Sequence, residues 1–299
     1  MAHSVERQME PIIHQILRDK RTEIEARKKS RPLWRLRDQI ATETPTRDFK
    51  GALLCEDFSV IAEIKRKSPS HGQLAPGLNV LELADLYEHA EGVSCISMLT
   101  DEKYFGCTID DMRAVHDATT KPMLRKDFVL DEYQVYEARA YGADAVLLIA
   151  TILEKEQLRH LASVVRSLGM EPFVESHTVE DLLKVPATVD VYGINTRDLM
   201  GKLGTDLHVV ERLLPSVPSG KIVVGESGVE TAAHMRKLYD FGVRASLTGA
   251  GIIRAQDRRV AIQELLSLVL IEPHLVNRSA RRLPQESRRD LRSPLPSLV

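Results

Sequence analysis

From residue 58 onward the chain alternates between two rhythms. Short apolar runs recur at 60–64, 95–99, 122–124, 145–149, 172–174, 191–194, 222–224 and 245–247. Between them lie stretches with the 3.6-residue spacing of helices, such as 80–89, 133–140, 154–168 and 231–241. Glycines stand where two of these helices must end, in Ala140-Tyr141-Gly142-Ala143-Asp144 and Tyr239-Asp240-Phe241-Gly242-Val243. Strand–helix alternation at this interval predicts parallel βαβ units. Eight units over roughly 200 residues predict an α/β fold, a closed (β/α)8 TIM barrel. An open doubly wound sheet would usually carry a glycine-rich fingerprint after its first strand, and residues 65–70 contain none.

Two flanking regions do not share the rhythm. Residues 1–50 read as helix: Ile12, Ile13, Ile16 and Leu17 form an apolar stripe. The charged run at 18–31 reads as a solvated helix face, and Pro32 opens a second helix with Leu33, Trp34, Leu36 and Ile40 on one side. This N-terminal helical extension precedes the first strand, so it must pack on the barrel, residues 51–272. Residues 273–299 carry six arginines against one Glu and one Asp and lack periodicity. They predict a basic, disordered tail without a core of its own.

Composition narrows the class. Hydrophobic residues make up 43% and charged residues 28% of the 299, and the formal net charge is −2. That balance gives no reason to expect nucleic-acid or membrane binding. Cys55, Cys95 and Cys107 are scattered and odd in number, which fits a reducing compartment, and the histidines form no metal-ligand spacing. The N-terminal sequence carries early acids and no long apolar core, so it predicts no secretory signal. The cytoplasm is the expected location.

The chemistry gathers where each strand ends. In such a barrel, catalytic groups sit at the carboxyl ends of the strands. The first strand supplies Glu63, Lys65 and Ser68, with Glu63 and Lys65 on one face. The third supplies Lys126, the fifth Glu175, the sixth Asn195 and Arg197, and the seventh Glu226 and Ser227. A lone Glu-x-Lys is ordinarily a surface pair. Two lysines and three glutamates converging on one mouth can instead shift each other's pKa and pass protons near neutral pH. Ser227-Gly228-Val229 and Thr248-Gly249-Ala250-Gly251 place glycine turns between strand and helix, where backbone N–H groups can face a phosphate. Phe105 and Phe128 lie just past the second and third strands, where they can pack in the core or against a flat aryl group.

These motifs resemble indole-3-glycerol phosphate synthase. IAEIKRKSPS, LTDEKYFG, LRKDFVLDEYQVYEARAYGADAVLLIATIL, GMEPFVES, GINTRDL and GESGV carry the resemblance, which with the helical extension covers roughly residues 10–268. It implies ring closure, decarboxylation and dehydration of 1-(2-carboxyphenylamino)-1-deoxyribulose 5-phosphate to indole-3-glycerol phosphate in tryptophan biosynthesis. It implies no cofactor, no metal, and a phosphorylated small molecule as partner. A monomer or weak homodimer, alongside other tryptophan-pathway enzymes, is the expected state.

Position by position, the resemblance implies Lys126 as general acid for ring closure and Glu175 as general base or proton relay. Glu63 would hold the charge network, and Lys65 would contact the phosphate or act as second acid. Ser68, Asn195 and Arg197 would orient the substrate, with Arg197 suited to its carboxylate. Glu226 and Ser227 would line the centre. Ser227, Gly228, Gly249 and Ala250 would bind phosphate, and Pro69, Phe105, Phe128 and Leu147 would pack the aryl ring. Three places depart from the family: His71 stands where a Lys is common, Met200-Gly201-Lys202-Leu203-Gly204 carries an apparent extra residue, and Ala250 replaces an oxygen-bearing side chain. With the basic tail, the first two of these motivate an alternative: a catalytically weak barrel kept as a binding or scaffold subunit.

Overall fold

Alternate residues of each apolar run serve two different cores. The computed structural model describes residues 11–75, 77–199 and 204–270. Its strands β1 (Ser59–Ile64), β2 (Val93–Leu99), β3 (Met123–Lys126), β4 (Ala145–Ile149), β5 (Glu171–Ser176), β6 (Val191–Asn195), β7 (Ile222–Glu226) and β8 (Ala245–Thr248) pair parallel in sequence order. β8 closes against β1, so the sheet is a barrel. Ile61, Leu124, Leu147, Phe173, Val224 and Leu247 point inward and fill it. Their neighbours Val60, Ala62, Ile96, Val146, Val174 and Ile194 point outward and pack beneath the helices on Leu83, Met112, Leu161 and Leu238. A strand buried on both faces reads as a continuous apolar run, which is why these strands show little alternation.

The strands run further than their apolar residues. The sequence ends the third at residue 124 and the seventh at 224. The ladder continues, pairing Leu99 with Lys126, Ile149 with Glu175 and Asn195 with Glu226. The polar side chains at these last positions are therefore held by sheet backbone rather than by loops. Gly142 (φ 87°) and Gly242 (φ 94°) take the left-handed conformation expected at the helix ends.

The extension spans the barrel from top to bottom. Helix α1 (Ile12–Ser30) places Ile13 and Ile16 in the inner core at the mouth, beside Phe128 and Ile149. Helix α2 (Leu33–Ile40) follows, and residues 41–48 are not helical, contrary to the expectation for 1–50. Below them the Arg47 amide donates to Asp144 Oδ1 at 2.7 Å, and Phe49 packs on Phe173 with centroids 6.5 Å apart. Part of α1's charged run departs from the expectation of a solvated face: Arg18, Arg21, Glu25 and Lys29 are exposed, but Lys20 and Arg27 turn inward. Lys20 is 1% exposed, with its ammonium 2.8 Å from Glu23 and 2.9 Å from both Asp101 and Asp127. Arg27 reaches Glu137 at 2.9 Å, and Glu137 in turn binds the fully buried Arg125 at 2.8 Å. The expected tail at 273–299 lies outside the described residues.

Candidate active site

The inward faces of the strands end in a polar ring above an apolar floor. Glu63, Lys126, Glu175, Asn195 and Glu226 occupy inward positions one step above Ile61, Leu124, Phe173, Gly193 and Val224, because the pleat repeats every two residues. Lys126 Nζ lies 3.0 Å from Glu175 Oε2 and 3.0 Å from Glu226 Oε2. The two carboxylates are 1–2% exposed and the lysine 15%, so the amine faces the cleft and the acids stand behind it. Lys65, just past β1, folds back to pair with Glu63 Oε1.

Charge in this ring is unbalanced, with three acids to two amines. For Glu226, burial and then the neighbouring Glu175 outweigh Lys126 and raise its pKa well above the carboxylate range. Its Oε1 makes no hydrogen bond. For Glu175, burial works upward but is overcome by Lys126, His177 and a hydrogen bond from Asn195, which hold it below the usual value. Burial would discharge Lys126, yet Glu175, Glu226 and Glu63 raise its pKa. The ring thus sets an amine between two carboxyl groups whose pKa values are pushed apart, the arrangement an acid–base reaction needs.

Two glycines make this crowding possible. A Cβ at Gly193 of β6 would lie 2.1 Å from Glu226 Oε1, and one at Gly249 would lie 2.6 Å from the Glu63 carbonyl oxygen. Gly249 therefore lets β8 approach β1 as well as opening a turn. A glycine inside a strand is the one sequence signal that could have flagged Gly193.

All sixteen residues proposed from the sequence line a single cleft of about 1150 Å³, open to solvent at the mouth. At one end Phe105 and Phe128 stack obliquely, centroids 6.3 Å apart, near Pro69 and Leu147. At the other end Ser227 and Gly228 take consecutive left-handed conformations (φ 65° and 71°), opposite Gly249 and Ala250. A serine rarely adopts that backbone, and its strain is held in place by Thr196, whose hydroxyl donates to the Ser227 carbonyl at 3.0 Å. A turn of this kind can aim backbone N–H groups at an anion.

Other residues at or behind the cleft were not anticipated. Ile12, Ile13 and Ile16 of the extension form part of its wall, as does Leu199. Residues 200–203, where the family's pattern is broken, lie outside the described residues. His71 also lines the cleft, with its pKa lowered by partial burial and by Arg254 and Arg197. His177 sits behind Glu175, where sequence spacing gives no sign of it. Among the described residues there is no cluster of His, Cys, Asp or Glu that could hold a metal ion, and no helix is long and apolar enough to cross a membrane.

A profile of the indole-3-glycerol phosphate synthase family matches residues 13–265. Curated relatives of that description include one from Bacteroides thetaiotaomicron, 35% identical over 261 residues, covering 87% of this chain and all of the relative. One from Alkaliphilus metalliredigens is 38% identical, covering 86% and 98%, and one from Rhodopirellula baltica is 42% identical, covering 74% and 85%. Among solved structures, 3-hexulose-6-phosphate synthase superposes with a TM-score of 0.55 at 18% identity over 71% of this chain and 99% of that one. Tryptophan synthase from Pyrococcus furiosus does so with a TM-score of 0.52 at 14% identity over the same shares. These structural likenesses show the barrel fold.

Proposed function

The chain belongs to the indole-3-glycerol phosphate synthase family, carboxy-lyases of tryptophan biosynthesis acting on a phosphorylated small molecule, and from that premise we propose how its mouth divides the labour. The observation that carries the proposal is Lys126, held 3.0 Å from two carboxylates of opposite protonation preference and facing the cleft.

Ring closure puts negative charge on the ketone oxygen as the aryl carbon attacks. Lys126, charged and exposed to the cleft, supplies that oxygen with a proton. Carbon dioxide then leaves. Dehydration removes a proton and a hydroxide, so it needs a base and an acid together. Glu175 is the base, kept ionised by its cationic neighbours. Lys65, paired to Glu63, either protonates the departing hydroxide or holds the phosphate. Glu226 carries a proton beside Lys126 and lets that lysine stay charged without two full anions against it. Asn195 aligns Glu175.

The ends of the cleft fix the substrate between these groups. The backbone at Ser227, Gly228, Gly249 and Ala250 takes the phosphate; Phe105, Phe128, Pro69 and Leu147 take the aryl ring; Arg197 and Ser68 orient the carboxylate and the chain between. A cytoplasmic monomer or weak homodimer completes the reading. The test is fluorescence of indole-3-glycerol phosphate formed from 1-(2-carboxyphenylamino)-1-deoxyribulose 5-phosphate by the purified protein. Correctly folded protein that forms none would sink the reading and favour the scaffold alternative.

A further inference from the structure

Behind Glu175 a chain of polar contacts runs away from the cleft. His177 Nε2 lies 3.4 Å from Glu175 Oε1 and makes no hydrogen bond of its own. On the other side of the ring, Nδ1 lies 2.9 Å from Thr151 Oγ1. The Thr151 hydroxyl donates to Asp181 Oδ2 at 2.6 Å, and the same oxygen accepts the His177 backbone N–H at 3.1 Å. Asp181 is 4% exposed, and its other oxygen faces Lys184 Nζ at 3.4 Å. His177 does not line the cleft.

Proton counting fixes the tautomer. Thr151 has one hydrogen, and it goes to a carboxylate, so toward His177 the hydroxyl can only accept. Nδ1 must then be the donor. That leaves Nε2 facing Glu175. A bare Nε2 lone pair against an ionised carboxylate is repulsive, and an Nε2–H is attractive. The charged groups around the ring are Glu175 from its own strand, Asp181 and Lys184 from the helix Val179–Lys184, and Lys126 beyond Glu175. Two carboxylates, Glu175 and Asp181, therefore flank the ring.

We propose that His177 is a positioning residue for Glu175: its imidazole, locked by Thr151 with a proton on Nδ1, presents Nε2–H to Glu175 Oε1 and keeps that carboxylate ionised between turnovers. The proposal rests on Glu175 being the base. His177 joins Lys126 and Asn195 in holding the Glu175 carboxyl down. Carboxylate–His–Thr–Asp is then a second line of control, reached through Oε1 while Oε2 serves Lys126.

The experiment is the pH profile of kcat/KM for full-length variants. Removing a neighbouring cation disfavours the carboxylate, so in His177→Asn activity should fail at a higher pH, with the acid limb moved up by about one pH unit. Thr151→Val should move it the same way by less, and Thr151→Ser should restore the wild-type profile. Should the histidine variant fail to fold, the two threonine variants carry the comparison with the ring intact. Nitrogen-15 NMR of the wild-type histidines should show a ring protonated on both Nδ1 and Nε2. Unmoved acid limbs, or a neutral ring of either tautomer, overturn the proposal. Glu175→Gln separates the two failures: an inactive variant beside an unmoved His177→Asn limb sinks His177 alone, whereas a fully active one removes the base reading and this inference with it.

Discussion

Two buried ionic clusters meet at β3, and they do different work. One gathers Lys20, Arg27, Arg125, Asp101, Asp127 and Glu137 between α1 and the outside of the barrel. The other gathers Lys65, Lys126, Glu63, Glu175 and Glu226 inside the mouth. Adjacent residues of β3 belong to both, with Arg125 outward and Lys126 inward. In the outer cluster the carboxylates are saturated: Asp127 takes contacts from Lys20, Arg125, Thr100 and the Phe128 amide. Although burial opposes it, Lys20 and Arg125 hold Asp127 far below the usual carboxylate range. In the inner cluster one carboxyl has a free oxygen and a raised pKa, and the lysine opens on a cleft. Complete pairing makes a rivet; incomplete pairing next to a cavity leaves a proton to move.

The comparison breaks first at Lys126. Lys126→Ala should lower kcat at least ~10²-fold while leaving the circular dichroism spectrum and melting temperature near wild type; retained turnover would refute its role as acid. Lys20→Met should do the reverse. Leaving Asp101 and Asp127 buried without their ammonium should cost about 3–5 kcal/mol of stability, read from denaturant unfolding, and much less in kcat at a temperature where the variant is folded. Equal stability would show the outer cluster to be no rivet.

Acid titration sharpens the same contrast. Asp127 has a folded pKa depressed below its unfolded value, so its contribution is present above about pH 4 and is lost as pH falls further. Wild-type stability should drop steeply there, and the Lys20→Met curve should be flatter. On the alkaline side, Glu226 has a raised pKa and loses its proton as pH climbs. Glu226→Gln cannot lose one, so the alkaline fall in kcat should move upward in pH. An unmoved limb would mean that the proton on Glu226 does not matter. The smallest effect is expected at Gly193→Ala, whose methyl must push Glu226 aside; a several-fold lower kcat with a nearly unchanged KM checks it.

The barrel was legible because apolar runs and helical spacing alternate eight times, and the mouth was legible because strand ends carry the chemistry in this architecture. Alternation also put Glu63 and Lys65 on one side. What stayed hidden depended on contacts between distant segments. Lys20 reads as one more charge in a charged helix until Asp127, more than a hundred residues later, closes over it. His177 follows Glu175 by two residues and looks like the start of a loop; only Thr151 and Asp181 give its ring a direction. Strand ends were placed too early, since hydrophobicity marks where a core stops and the ladder continues beneath polar side chains.

The extension also sets an order of events for folding. Its contacts join residues far apart in sequence: Arg27 with Glu137 (110 apart), Thr46 with Gly169 (123) and Lys50 with Asp190 (140). During synthesis the first fifty residues therefore emerge long before the surfaces that seat them, and their apolar stripe must wait exposed. A segment made before the surfaces that seat it can dock only after they form, so destabilising α1 should leave the barrel's collapse at its usual rate and slow the final packing step.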